Sequence, residues 1–88
     1  MDNVVFVGKK SVRTYEEAVK VQFEEVKAKE VILRARGKYI SKAFNVAEFV
    51  KRRDGIKIKK IESSSEQFRD EEKQKDIFVS TVDICLTK

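Results

Sequence analysis

Apolar and polar positions follow two different periods along the chain, and each change of period predicts a new element. Residues 3–7 form a short apolar run, as expected of a buried strand. Apolar residues then recur every three or four positions over residues 12–28, which predicts an amphipathic helix. Thr14 and Glu17 have the spacing of a capping box at its start, and Ser11 is an alternative N-cap.

The same order of strand and helix follows in the next segment. Residues 30–36 predict a second strand, and helical periodicity runs from residue 38 to residue 53. Val46 and Phe49 make the apolar surface of this helix wider than packing on one sheet requires. We therefore expect a second buried face on this helix, for example against another subunit.

Two further strands are predicted in the last third of the chain. Residues 54–55 are the turn signal Asp-Gly, after which residues 56–61 alternate between apolar and basic side chains. The alternation breaks at residues 60–61, which predicts a bulge or twist. A long strand, residues 76–87, ends the chain.

The connection between these two strands is polar. Residues 63–76 contain one aromatic side chain, Phe68, and only charged and uncharged polar side chains otherwise, so we expect a flexible hairpin arm. The predicted order is β-α-β-α-β-β in one domain, residues 1–88. This order indicates an α+β two-layer sandwich, with two helices on one face of a four-stranded mixed sheet.

The residue types that are missing exclude several kinds of chemistry. The 88 residues include no His and one Cys, Cys85, so a histidine base, a Ser-His-Asp triad, an internal disulfide and a structural zinc site are all excluded. We expect no enzyme activity, metal or cofactor, and we expect Cys85 to be a packing residue. No apolar run approaches the roughly 20 residues of a membrane span.

Charge is distributed unevenly along the chain. The net charge is +5. Residues 34–60 hold ten cations and two acids, a net charge of +8, whereas residues 63–76 have a net charge of −2. We expect one end of the molecule to be strongly positive, as is typical of proteins that bind the phosphate backbone of nucleic acids.

Two basic turns are predicted to meet. One follows the first strand and the other follows the second, so parallel neighbouring strands would bring both turns to the same edge of the sheet. Glycine in the second turn lets the backbone approach a ligand, and arginine suits planar anion recognition. The candidate nucleic-acid-binding residues are Lys9, Lys10, Arg34, Arg36, Gly37, Lys38, Lys42, Arg52 and Arg53.

Three stretches, NVVFVGKK, RARGKYISKA and STVDICL, resemble the Alba family of archaeal chromatin proteins, and the resemblance covers residues 3–87. It implies a homodimer, or a heterodimer with another Alba-type subunit, that binds double-stranded DNA and RNA without sequence preference. It also implies a role in chromosome organisation in the cytoplasm, at the nucleoid, and acetylation of Lys9.

Two departures from the family pattern change this expectation. The arm is acidic, whereas the arms of the family are rich in Gly, Arg and Ser, so we expect weak contact between arm and minor groove. Asp54 stands where many members have a bulky aromatic residue that packs neighbouring dimers. We therefore expect less cooperative coating, as for a divergent paralogue.

Several alternatives remain open from the sequence. The main substrate is either DNA or RNA, the latter in a ribonucleoprotein component. The basic face is also compatible with an interaction module that docks an acidic protein partner. Phe68 and Tyr39 are compatible with stacking on nucleic acid and with local packing.

Overall fold

In the computed structural model, which describes residues 3–88, the elements follow the predicted order. They are strand β1 (Val4–Phe6), helix α1 (Val12–Glu24), strand β2 (Glu30–Arg36), a 3-10 turn (Gly37–Tyr39), helix α2 (Ile40–Asp54), strand β3 (Lys57–Asp70) and strand β4 (Lys75–Thr87).

The sheet has the strand order β1-β2-β4-β3. β1 and β2 are parallel, whereas β4 is antiparallel to both of its neighbours. The carboxyl ends of β1 and β2 therefore lie at one edge of the sheet, as predicted. We call this edge the upper edge and define it by residues 8–10 and 36–39. The lower edge, residues 51–59, is where α2 ends and β3 begins.

One face of the sheet packs on both helices and forms the core. Alternate residues of β2 and β4, such as Leu33 and Ile84, are fully buried there against Val19 of α1 and Val46 of α2. The intervening residues, such as Arg34 of β2 and Asp83 opposite it on β4, lie on the other face of the sheet, which neither helix covers. The prediction of a two-layer α+β sandwich is confirmed.

The limits of α1 differ from the prediction at both ends. Ser11, the alternative cap, is the N-cap, because its Oγ accepts a hydrogen bond from the Thr14 N–H. The helix ends at Glu24 and not at residue 28. Val26 is more than half exposed, and Lys27 has a φ of 63°, in the left-handed region that a helix does not contain.

The end of α2 and the bulge agree closely with the sequence. Gly55 adopts φ 68° directly after α2, the left-handed conformation that ends helices and favours glycine. The pairing of β3 with β4 shifts register between Ile58 and Lys60, so Lys59 is the extra residue of the bulge. The bulge thus lies one residue before the predicted position.

The segment predicted as a hairpin connection is largely strand. Pairing of β3 with β4 continues to Asp70 and Lys75, and only residues 71–74 form the turn. β2 ends where Arg36 pairs with Thr81, so residues 65–80 form a two-stranded ribbon without a third strand beside it. This ribbon is called the arm, and it projects from the upper edge.

Candidate nucleic-acid interface

The turn after β1 is held in place by side chains from both helices. The Tyr15 hydroxyl of α1 accepts hydrogen bonds from the backbone N–H groups of Gly8, at 2.8 Å, and Lys10, at 3.1 Å. The Lys42 ammonium of α2 donates to the carbonyl oxygens of Gly8 and Lys10, both at 2.7 Å. The backbone of the turn is therefore fixed, and the Lys9 side chain is exposed at its centre.

Lys42 is a predicted nucleic-acid-binding residue, and in the structure its ammonium also bonds groups of its own chain. Two carbonyl oxygens and the Tyr39 ring, 5.5 Å away, surround the ammonium. Lys38 lies at the same distance from the centroid of that ring. Tyr39 thus packs between two lysines where α2 begins, which supports the local-packing interpretation of this residue.

Arg34 lies on the face of the sheet that the helices leave open. Its Nε and Nη2 donate to the two carboxylate oxygens of Asp83, at 2.8 and 2.9 Å. The guanidinium also lies 5.8 Å from the ring centroid of Phe6 on β1. The hydrogen bonds from Arg34 lower the pKa of Asp83, so this pair is ionised at neutral pH.

Arg36 joins the sheet to the arm. Its Nη2 lies 3.1 Å from Oε2 of Glu66, and the guanidinium lies 5.0 Å from the ring centroid of Phe68. Both partners are arm residues on β3. Phe68, whose role the sequence left open, stacks on an arginine of its own chain.

Gly37 has the conformation that its prediction as a turn residue requires. Its φ is 56°, in the left-handed region that side chains other than glycine rarely adopt. A Cβ atom here would lie 3.6 Å from Cγ1 of Val79 on the arm. The second basic turn is therefore packed against the base of the arm.

Arg52 and Arg53 do not lie near the other candidate residues, and this corrects the expectation of one strongly positive end. They belong to the last turn of α2, at the lower edge. Arg53 pairs with Glu16 at 3.0 Å and with Asp54 at 3.3 Å, and hydrogen bonding to Asp54 raises its pKa. The cations of residues 34–60 are divided between two edges because α2 spans the sheet between them.

An ion pair at the lower edge covers the single cysteine. The Lys59 ammonium donates to the Glu30 carboxylate, and this hydrogen bond lowers the pKa of Glu30 and raises that of Lys59. Cys85 is 4% exposed, and burial raises the pKa of its thiol. A buried, protonated thiol is a packing residue, as predicted.

Sequence reasoning missed the residues that hold or neutralise the predicted cations. Tyr15 lies within the apolar periodicity predicted for residues 12–28, and no hydrogen-bonding role was predicted for its hydroxyl. The acidic partners Asp83 and Glu66 were not identified, since their proximity depends on strand register, which local sequence pattern does not give. One signal in the sequence was Phe6, a bulky apolar residue next to the first basic turn. In the structure, Phe6 stands opposite Arg34 in the pairing of β1 with β2.

Residues 3–88 show neither a group of His, Cys, Asp and Glu arranged to hold a metal ion nor a helix long and apolar enough to cross a membrane.

Known proteins resemble this chain over its whole length. A DNA/RNA-binding protein Alba from Methanococcus maripaludis is 46% identical over 90 residues, which cover all of both chains. The DNA/RNA-binding protein Alba 1 from Archaeoglobus fulgidus is 43% identical over 89 residues, covering 99% of this chain and 97% of the relative.

Comparison of the fold with solved structures also identifies an Alba protein. The structure of Alba from Thermoplasma volcanium superimposes with a TM-score of 0.84 at 36% identity, covering 98% of this chain and all of the other. The sequence profile of the Alba family matches residues 3–65. These similarities, together with the β-α-β-α-β-β order and the turn built around Gly8 to Lys10, show that the chain belongs to the Alba family.

Proposed function

We propose that this protein binds double-stranded DNA and RNA through the upper edge, with little sequence preference. The observation that carries the proposal is the fixed turn that exposes Lys9 and Lys10 beside the turn that carries Arg36 and Lys38. The whole-length relatives named as DNA/RNA-binding proteins support it.

The proposed mechanism is electrostatic. Lysine ammonium groups at the upper edge neutralise phosphates and release counterions, which lowers log K by about 0.9 per tenfold rise in salt for each phosphate neutralised on B-DNA. Lys9, Lys10 and Lys38 carry the larger share, because Arg34 and Arg36 already face carboxylates. Lysines that contact only phosphates carry no sequence information, so specificity is low.

The binding unit in this proposal is a dimer, formed with a second copy or with another Alba-type subunit. Large apolar side chains are exposed on the helical side of the molecule at three elements: Phe49 of α2, Ile61 of β3 and Phe78 of β4 are 49%, 49% and 67% exposed. In the proposed dimer, these side chains are buried between the two subunits. The role we propose for such a dimer is chromosome organisation in the cytoplasm, at the nucleoid.

Lys9→Gln tests the assignment, because it removes one charge, as acetylation would, and keeps the turn intact. We expect weaker binding to a random-sequence duplex and a salt slope shallower by about 0.9. Fluorescence anisotropy at several salt concentrations measures both. Lys29→Gln is the matched control, since Lys29 is an exposed lysine just before β2, away from the upper edge.

Equal effects of the two substitutions would contradict the assignment of Lys9. Titrations of matched DNA and RNA duplexes in the same buffer identify the preferred substrate. If the wild-type protein binds neither duplex at low salt and instead binds an acidic protein with one-to-one stoichiometry, the proposed function is wrong.

A further inference from the structure

The open face of the sheet carries a groove whose floor the phosphate-binding proposal does not use. Its volume is about 700 Å³, within the roughly 300–1,000 Å³ of small-ligand sites. Strand register places Phe6, Arg34, Asp83 and Glu62 in one row across all four strands, along the floor of the groove. Gly8 lies at its rim, directly before Lys9.

The charges on the floor of the groove are unsuited to a phosphate. The lining includes two guanidinium groups and three carboxylates, and the carboxylate of Glu62 lies 3.3 Å from the ammonium of Lys60, outside the lining. Arg34 and Arg36 pair with Asp83 and Glu66 within it. A carboxylate has lone pairs beyond those used in an ion pair, so these carboxylates still accept hydrogen bonds from a neutral ligand, whereas a phosphate is better placed at the upper edge, where the lysines and Arg36 lie.

Aromatic rings flank this acceptor surface. Phe6 is 68% exposed although it is a large apolar residue in a sheet, and the Arg34 guanidinium lies by its ring. Phe68 is 40% exposed and stacks on Arg36. A flat ring stacked on Phe6 would bury apolar surface that is now exposed to solvent.

We propose that the groove binds an unpaired nucleobase of a single-stranded nucleic acid, stacked on Phe6, with the adjacent phosphate at Lys9. A nucleobase is neutral and flat, and stacking on aromatic side chains is the common mode of single-strand recognition. The carboxylates favour bases with an exocyclic amino group, adenine, cytosine and guanine, over uracil and thymine. This inference rests on the proposed function, since Lys9 supplies the phosphate contact.

Phe6→Ala tests the inference in the full-length chain. Alanine substitution of a stacking residue costs about 1–3 kcal/mol per base, so we expect binding of single-stranded oligoadenylate RNA to weaken about 5- to 150-fold. Duplex binding remains unchanged. Phe6→Leu, which keeps an apolar side chain but removes the aromatic face, also weakens single-strand binding. Anisotropy measures all affinities, and thermal unfolding confirms that the variants are folded.

Val26→Ala is the control, because Val26 is 56% exposed, does not line the groove and is not among the side chains proposed to be buried in the dimer. Wild-type protein should bind oligoadenylate more tightly than oligouridylate, and oligoadenylate should shift the amide NMR signals of residues 5–7. The inference is overturned if Phe6→Ala and Val26→Ala have equal effects, or if oligouridylate binds as tightly as oligoadenylate. Duplex binding by the wild-type protein tests the proposed function separately.

Discussion

At the residue scale, Lys42 shows that a cation predicted to bind a ligand can also hold the protein together. Its four-carbon stem crosses from α2 to the turn after β1, and its ammonium bonds two carbonyl oxygens there. A charged donor suits this position because one ammonium can satisfy several acceptors. Charge alone therefore does not distinguish a lysine that binds phosphate from one that shapes the binding site.

Lys42→Met should destabilise the protein. It keeps the stem but removes both hydrogen bonds to the turn, so we expect the free energy of unfolding to fall by about 1–2 kcal/mol. Urea unfolding measures the change. Lys38→Met removes the same charge from an exposed side chain near the same ring, so it should leave stability within about 0.5 kcal/mol of wild type. Similar losses in both variants would contradict the role of Lys42.

At the element scale, the arm acts on its neighbour β2 through one arginine. In the proposed binding mode, a phosphate would compete with Glu66 for the guanidinium of Arg36, and both partners of this ion pair are about half exposed. Exposed ion pairs contribute at most about 1 kcal/mol, so nucleic acid can displace Glu66 at a small cost. In that mode, the arm would reduce, but not abolish, the contribution of Arg36 to binding.

Glu66→Gln should raise duplex affinity. Release of Arg36 adds a phosphate contact, and we expect tighter binding by about two- to fivefold, with a steeper salt slope. Glu72→Gln changes the net charge equally at the tip of the arm and should have a smaller effect. In an Arg36→Ala background, Glu66→Gln should have no more effect than Glu72→Gln. Anisotropy titrations of the two single glutamate variants, of Arg36→Ala and of its two double variants give the comparison, and an undiminished effect without Arg36 would disprove the competition.

The elements that were predicted correctly are those with one buried face. β2 and α2 repeat apolar residues with the period of their structure, because each packs on the core. The strands of the arm were missed, since a two-stranded ribbon exposed on both faces has no apolar alternation to reveal it. The hairpin is instead specified by cross-strand pairing, in which Phe68 stands opposite Ile77.

The candidate site was predictable to a similar extent. The meeting of the two basic turns followed from topology, because parallel neighbouring strands end at the same edge. The lower-edge position of Arg52 and Arg53 follows from the same topology once α2 is known to run back across the sheet. The ion pairs of Arg34 and Arg36 could not be predicted, because they depend on which residue of β4 or of the arm stands opposite each arginine.

At the scale of the whole molecule, the arm makes the protein elongated. The principal extents are 47, 24 and 19 Å, and the radius of gyration is 14.5 Å. A chain this small buries little of its surface alone, and it leaves Phe49, Ile61 and Phe78 exposed. A partner on the helical side would shelter these side chains and enlarge the positive upper edge.

Phe49→Asp should therefore separate the proposed dimer. A charge at the centre of an apolar contact is costly to bury, so we expect sedimentation equilibrium to give the 10.2 kDa mass of one chain, against about twice that mass for wild type. Val21→Asp, an equivalent change at an exposed position of α1, should leave the dimer intact. A wild-type protein that sediments as a single chain at all concentrations would disprove the dimer.

The side chains that form hydrogen bonds with the turn after β1 also limit how this turn can contact a nucleic acid. Tyr15 uses the N–H groups of Gly8 and Lys10, and Lys42 uses their carbonyl oxygens, so these backbone groups cannot grip a phosphate as a glycine-rich nucleotide loop does. Contact is left to lysine ammonium groups on flexible stems. Such contacts adjust to different spacings between successive phosphates, so one rigid turn can serve helices of A-form and B-form geometry alike.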